Sequence, residues 1–495
     1  MTLQELIQNL PVKETLGKMS TKICGITQDS RKVQKGFLFV AIQGYGQDGH
    51  RFIPEAIKNG AAALVVSENY EIGTTIPKVM VANSRKTLAQ LAVRFYENPS
   101  EKMTMIGITG TNGKTTITYL LESILKEAGR NPAVLGTINY RYGGKVFSSE
   151  NTTPESVDLQ KLFSEMLKEG VTDVVMEISS HSLLMERVRG IEFDVAAFTN
   201  LSQDHLDFHL DLKNYFEAKL KLFTDFLSES PKKERSAVIN MEDSYSGDVL
   251  KKNTVRSVRV GLTGPYEVSA QFFNFSTEGI EARILIGSEV LTIRSPLLGL
   301  FNLENILVAV GIAYSLGIAT ETIRLGIEKV NCVPGRFEKI PNSRGLYVFV
   351  DYAHTPEALA RVGECLRSFT KEGRVITVFG CGGDRDRSKR PMMGREASKF
   401  SDVIVVTSDN PRTEDPSRII EEIVAGFQDT PFPEENIFQV IERKEALRQA
   451  IKMAKSGDLV LVAGKGHEDY QILGSKKIHF SDQEILRELL KEKRL

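Results

Sequence analysis

Met103-Thr-Met-Ile-Gly-Ile-Thr-Gly110-Thr-Asn-Gly113-Lys114-Thr115-Thr116 decides how this chain is read. Its apolar run predicts a buried parallel strand that breaks into a glycine-rich loop. Beyond it, Ile117, Leu120, Leu121, Ile124, Leu125 and Ala128 recur at helical spacing with one buried face. Strand, glycine-rich loop and helix in this order make a phosphate cradle. Backbone N–H groups of Gly110, Thr111, Asn112 and Gly113 and the helix N-terminus face an anion, Lys114 brings a point charge, and Thr115 or Thr116 can reach Mg²⁺. A nucleoside triphosphate is the expected ligand. The usual spacing places glycine at position 108, where this chain has Ile108 between Gly107 and Gly110. A glycine-rich turn without a ligand is the alternative reading.

At 495 residues the chain calls for roughly three domains. A net charge of −1 without a basic block argues against a nucleic-acid partner. No run of about 18 apolar residues is present, so no membrane span is expected. The opening residues have neither a basic nor an apolar leader region. Cys24, Cys332, Cys365 and Cys381 show no metal or redox spacing, which fits a reduced, cytoplasmic protein; Cys381 is read as a spectator thiol. Short apolar runs alternate with helical patterns, giving an α/β class with mainly parallel sheets. Polar punctuation near residues 97–102 and 333–336 suggests units at 1–98, 99–334 and 335–495.

The last unit has four apolar strands, at 346–350, 374–379, 402–407 and 458–463. They run into Asp351-Tyr-Ala-His354-Thr-Pro356, Gly380-Cys-Gly-Gly-Asp384-Arg385-Asp386-Arg387, Ser408-Asp409-Asn410-Pro411-Arg412 and Gly464-Lys465-Gly466-His467-Glu468. Ligands of open parallel sheets bind beyond the carboxyl ends of the strands, so these loops are expected to line one site. Their arginines suit a carboxylate or phosphate. Taken singly, each loop is also ordinary turn chemistry.

In the middle unit, the strand before Glu177-Ile-Ser-Ser-His181 and the strand at 194–199 before Asn200-Leu-Ser-Gln-Asp204-His205 flank the cradle. Glu177 and His205 are candidate Mg²⁺ holders, directly or through water; a turn histidine and a helix-capping Asp204 are the plainer alternatives. Tyr215, Lys219 and Phe223 share one helical face. Lys219 is either a snorkelling edge residue or a desolvated, reactive amine.

In sum, these residues resemble the Mur ligase family, ATP-dependent amide ligases that build the peptidoglycan stem peptide. The resemblance rests on Gly110–Thr116, Glu177–His181, Asp204-His205, Asn302-Leu-Glu-Asn305, Gly335-Arg336 and Asp351–Pro356, in that order across the whole chain. It implies an N-terminal α/β unit for a uridine nucleotide, a central ATPase-like unit and a Rossmann-like C-terminal unit. Thr27-Gln-Asp-Ser30-Arg31, Gly44-Tyr45-Gly46-Gln47-Asp48-Gly49 and Asn151-Thr152-Thr153-Pro154 look like loops for UDP-N-acetylmuramoyl-L-alanyl-D-glutamate, with Ser179 and Arg187 as further contacts; Met185 stands where some relatives carry Gln. Arg385, Asp409, Asn410, Pro411, Arg412, Gly464 and Glu468 match contacts to meso-2,6-diaminopimelate. An arginine fork can pair with that amino acid's distal carboxylate, which lysine lacks.

The resemblance further implies ATP contacts from the cradle with Asn302, Arg336 and His354, and catalytic roles for Lys114, Glu177, His205, Lys219 and Asp351. Thr115, Glu177, His205 and a Lys219 carbamylated by CO₂ would hold Mg²⁺. The reaction implied runs through an acyl phosphate on D-Glu, in a chain acting as a monomer. Three other readings stay open. One is the same ligase using L-lysine or another diamino acid. The second is a related ligase, such as a folylpolyglutamate synthase or the D-alanyl-D-alanine-adding enzyme. The third is a non-catalytic nucleotide-binding regulator of wall synthesis.

Overall fold

Strands such as Val375–Phe379 and Leu459–Ala463 are buried along their whole length, as strands covered on both faces by helices are. Three such sheets organise the computed structural model, which describes residues 1–44, 47–67, 76–369 and 373–491. The first runs in the order Val12–Leu16, Lys78–Val81, Ala61–Ser67, Phe37–Val40, Gly25–Thr27, parallel except for the first strand. Helix Ser84–Phe95 packs Leu88 and Leu91 onto its core; Asn83 caps it by accepting from Lys86 N at 3.0 Å.

The middle sheet has eleven strands. At its centre β1 (Thr104–Thr109) runs into helix α1 (Lys114–Glu127) and lies between β2 (Asp173–Glu177) and β3 (Val195–Phe198), all parallel. The wholly apolar stretch of helix Leu300–Ser315 is buried against this sheet. Helix α2 (Leu212–Lys221) continues into a widened π turn, Leu222–Leu227. The sheet is less parallel than its sequence suggests. Val268–Ser276, Gly279–Ile286 and Glu289–Ser295 pair antiparallel at one edge, and Asn139–Tyr142 and Lys145–Ser148 at the other. Burial alternates along Glu289–Ser295, because an edge meander needs only one covered face.

The third sheet places Glu338–Ile340, β4 (Tyr347–Asp351), β7 (Leu459–Ala463), β5 (Val375–Phe379), β6 (Val403–Thr407) and Ile437–Val440 side by side. Only the first runs antiparallel. A separate hairpin, Tyr470–Leu473 with Lys476–His479, stands beside it. The α/β class expected from the sequence is what the chain adopts, with three large sheets for the three domains expected. Among the described residues no helix is long and apolar enough to cross a membrane.

Candidate active site

The phosphate loop is tight because two positions admit no side chain. Gly110 has φ +146° and a Cβ there would lie 1.8 Å from Thr199 Oγ1; Gly113 has φ +89° and a Cβ would lie 2.2 Å from Asn305 Oδ1. Ile108, at the place of the usual first glycine, is wholly buried inside β1, so the turn begins only at Gly110. The loop is braced from the end of β3. Thr111 N donates to Asn200 O (2.9 Å), Asn112 N to Asn200 Oδ1 (2.8 Å) and Thr199 Oγ1 to Asn112 O (2.7 Å).

Two lysine side chains converge on one loop carbonyl. Lys114 Nζ donates to Gly110 O at 2.7 Å and to Thr111 O at 2.8 Å, while Lys219 Nζ reaches Gly110 O at 2.8 Å. Lys219 is buried, with its Nζ 4.4 Å from the centre of the Tyr215 ring. Burial, reinforced by Lys114, pushes its pKa well below the ordinary lysine value. Lys219 is thus enclosed within the fold rather than reaching out from its edge.

Glu177 ends β2 with its carboxylate held by three donors: Thr115 Oγ1 (3.0 Å), Thr137 N (3.0 Å) and Thr137 Oγ1 (2.9 Å). Next to it, Thr152 Oγ1 lies 3.0 Å from Thr137 Oγ1, and Thr153 Oγ1 donates to Glu177 O at 2.8 Å. Ser179 N donates to Thr153 Oγ1, and Arg187 donates to Thr153 O while pairing with Glu155. Tyr140 OH donates to Asn151 O. Asn151, Thr152, Thr153, Ser179 and Arg187 thus form one patch beside Glu177, and the Arg187 guanidinium also meets Met185 Sδ at 3.5 Å.

The C-terminal sheet closes the other side. Asp351 at the end of β4 accepts from Phe337 N (2.6 Å) and Ala353 N (2.7 Å), and burial raises its pKa. Arg336 lies over the Tyr352 ring and donates to Thr115 Oγ1 at 3.1 Å, directly bridging the two units. Asp204 Oδ2 lies 3.4 Å from His205 Nε2 and 3.9 Å from His354 Nε2; burial lowers both histidine pKa values. Asn302 is buried, tied to Leu298 O and Asn305. A cavity of about 260 Å³ is lined by the phosphate loop, Glu177, His205, Lys219, Asn302, Arg336, Asp351 and His354.

The candidate amino-acid residues form a second cluster just past this cavity. Gly464 N donates to Asp351 O at 3.1 Å, and a Cβ on Gly464 (φ +109°) would lie 2.8 Å from Asp409 Oδ2. Asn410 Nδ2 donates to Glu468 Oε2 at 2.8 Å, and Arg412 Nη1 to Gly383 O at 2.7 Å. Arg385 is exposed and bonds Asp384 O; Pro411 is buried in the loop. Arg443, wholly buried with Asp482, donates to Ser408 O and Ala463 O, fixing the strand ends that carry this cluster.

The N-terminal candidates stand apart. Ser30 Oγ donates to Glu55 Oε2 at 2.5 Å, Gln47 O accepts from Gly44 N, and neither residue lines the cavity. Tyr45 and Gly46 lie outside the described residues. Cys381 is buried and its pKa is pushed up to about 12, an inert thiol. Sequence reasoning passed over Asn200 and Thr137 as site residues. Asn200 had a signal, since it directly follows a strand neighbouring the cradle; Thr137 had none.

Phosphate loop, strand-end carboxylate and a second sheet closing over both define a nucleotide-using α/β enzyme with a cavity between domains. Residues 108–313 match the Mur ligase middle domain, 335–466 the Mur ligase, glutamate ligase domain, and 22–96 the Mur ligase family, catalytic domain. A UDP-N-acetylmuramoyl-L-alanyl-D-glutamate–2,6-diaminopimelate ligase of Geobacter metallireducens is 44% identical, covering 99% of both chains; one of Clostridium botulinum is 45% identical over 94% of this chain and 95% of the relative. A solved structure of a ligase of the same description superposes with a TM-score of 0.70 at 30% identity, covering 99% of this chain and 98% of that one. The chain belongs to the Mur ligase family and is a ligase.

Proposed function

We propose that this ligase joins the D-Glu γ-carboxylate of UDP-N-acetylmuramoyl-L-alanyl-D-glutamate to an amine of meso-2,6-diaminopimelate, consuming ATP in peptidoglycan precursor synthesis. The observation that carries this reading is the cavity in which Lys114, Glu177 and Lys219 meet Asp351 and Arg336, with Gly464 one strand away and reaching the Asp409–Arg412 cluster through Asp409. A carboxylate resists amine attack until one oxygen becomes a phosphate leaving group. The γ-phosphoryl group passes to the γ-carboxylate, ADP leaves, the amine attacks the acyl carbon, and the C–O bond to phosphate breaks as the amide forms.

The residues divide this work by position. Lys114 and Arg336 offset phosphate charge, the Gly110–Thr116 backbone cradles it, and Asn302 and His354 line the remainder of the nucleotide cavity. The Thr152, Thr153, Ser179 and Arg187 patch beside Glu177 orients the acceptor's peptide end, with Asn151 flanking. Ser30, Tyr45, Gly46 and Gln47 serve its uridine end. Arg385, Asp409, Asn410, Pro411, Arg412, Gly464 and Glu468 take diaminopimelate. Lysine as substrate would leave the Arg412 fork without its carboxylate.

Magnesium fits the donor set around Thr115 and Glu177, two oxygens 3.0 Å apart. Among the described residues no three His, Cys, Asp or Glu side chains converge as a cage, so the remaining ligands would be phosphate oxygens and water. The bound ion would supply charge neutralisation between two polyanions. His205, which lines the same cavity, offers an imidazole nitrogen for this role. The Lys219 amine fits carbamylation. Its neutral amine nitrogen attacks CO₂, a C–N bond forms, one proton leaves to solvent, and a carboxylate-like anion results where an uncharged amine stood. The chain is taken as a cytoplasmic monomer with working units at 1–98, 99–334 and 335–495.

The test uses acceptor labelled with heavy oxygen in its γ-carboxylate. With ATP and diaminopimelate, one labelled oxygen per turnover is expected in the released orthophosphate, and unlabelled phosphate would sink the acyl-phosphate route. Mass spectrometry of products from diaminopimelate and from lysine then identifies the amine.

A further inference from the structure

Lys465 is a wholly buried lysine that does not line the cavity. Its Nζ lies 3.0 Å from Glu468 Oε2 and 3.4 Å from Asn410 Oδ1, with the Tyr470 ring 5.4 Å away. A buried ammonium is unfavourable unless a carboxylate and further acceptors meet it, and Glu468 with Asn410 do so here. The arrangement is one-sided. Glu468 Oε2 already takes two donors, Lys465 and Asn410 Nδ2, whereas among the described residues Oε1 receives only the Tyr470 hydroxyl at 3.3 Å. Oε1 therefore keeps the lone pairs that an incoming ammonium group needs.

The same lysine sets the Asn410 amide. Asn410 Oδ1 accepts from Lys465 Nζ and from Ile472 N at 2.9 Å, which leaves Nδ2 to face Glu468. The segment is stapled to the hairpin at both flanks: Gln471 Nε2 donates to Asp409 O (2.8 Å), Arg412 N to Ile472 O (3.1 Å) and Gly474 N to Arg412 O (2.8 Å). Arg412 needs such bracing, because its φ of 52° is left-handed. The Arg443–Asp482 pair, by contrast, is closed on itself and on main-chain carbonyls.

We infer that Lys465 is a positioning residue for the incoming amino acid, its buried ammonium orienting Glu468 and Asn410 so that one carboxylate oxygen stays open to the substrate's cationic end. This rests on the diaminopimelate reading above. It assigns discrimination to a side chain that never touches the substrate.

The experiment compares Lys465→Met with the parent chain, measuring KM for diaminopimelate, ATP and the muramoyl-dipeptide nucleotide separately. A rise of about ten- to a hundredfold in the diaminopimelate KM is expected, the range typical of a side chain that orients a ligating one. The other two KM values stay within about twofold, and kcat changes little. An unchanged diaminopimelate KM, or an equal rise in all three, overturns the inference. Should Lys465→Met not fold, Lys465→Gln keeps an N–H donor in the same slot without the charge and carries the same comparison. Parent enzyme that ignores diaminopimelate would defeat the functional reading instead, which separates the two failures.

Discussion

The phosphate loop and the Asp409–Arg412 cluster hold their ligands' positions by opposite means. Around the loop, geometry is set by backbone: two glycines without room for a Cβ, and main-chain groups tied to Asn200. In the cluster, side chains brace one another, with Lys465, Glu468, Asn410 and Tyr470 in one network and Arg412 pinned to a hairpin. A phosphate presents the same oxygens whatever it is attached to, so a main-chain cradle suffices. Telling one amino acid from another needs charges at fixed separations. Side-chain networks supply them, and they fail one partner at a time.

The largest effect should come from the loop side, where Lys219 shares Gly110 O with Lys114. Lys219→Ala is expected to lower kcat on the order of a hundred- to a thousandfold, the scale of losing one charge-stabilising group, with acetate or bicarbonate restoring part of it. A fully active alanine variant would break the contrast, because the loop would then work through backbone alone. On the cluster side, Arg412→Ala should raise the KM for diaminopimelate by roughly a hundredfold, the cost of stranding a charge pair, and leave the KM for ATP nearly unchanged. Equal rises would mean that the two regions are not separable.

The smallest effect concerns pH. Each region buries a neutral histidine: His209 is lowered by burial and by nearby His181 to about 4, and His467 by burial and Arg336 to about 3. Both are bases with depressed folded-state values, so the unfolded chain binds more protons below pH 6.5. Stability should therefore fall as pH drops from about 6.5, with the His209 contribution exhausted near pH 4 and that of His467 near pH 3. Denaturant titrations with His209→Gln and His467→Gln should flatten that slope; an unaltered slope in both would remove the histidines from the account.

Much of this was legible in the sequence, for identifiable reasons. The loop could be read because glycine, lysine and threonine at strand-to-helix spacing leave few alternatives. The four strand-end loops could be read because parallel strands are apolar throughout and break abruptly into polar runs. Lys219 stood out as a cation on an apolar helical face. The antiparallel edges of the middle sheet were not legible as such, since short alternating strands resemble parallel ones until their partners are known. Asn200 could be placed near the cradle by its strand, but its bonds to Asn112 and the Lys465 network could not be read, because they join residues about 90 and 55 positions apart. Buried Arg390 and Arg443, each neutralised by distant carboxylates, look like ordinary surface charges in the linear chain.

Asp351 and Ala463 are register partners on adjacent strands, and Gly464 bonds straight back to Asp351. The groups that reach toward the nucleotide and those that receive the amine donor are consequently carried by neighbouring strands of one stiff platform, with Gly464 one strand interval, about 4.8 Å, from Asp351 and Asp409–Arg412 two strands further on. Whatever tilt that platform undergoes carries both together. A movement of that sheet would therefore bring the nucleophile and engage the triphosphate in one event, and the protein that delivers the amine would be the same piece that covers the acyl group it attacks.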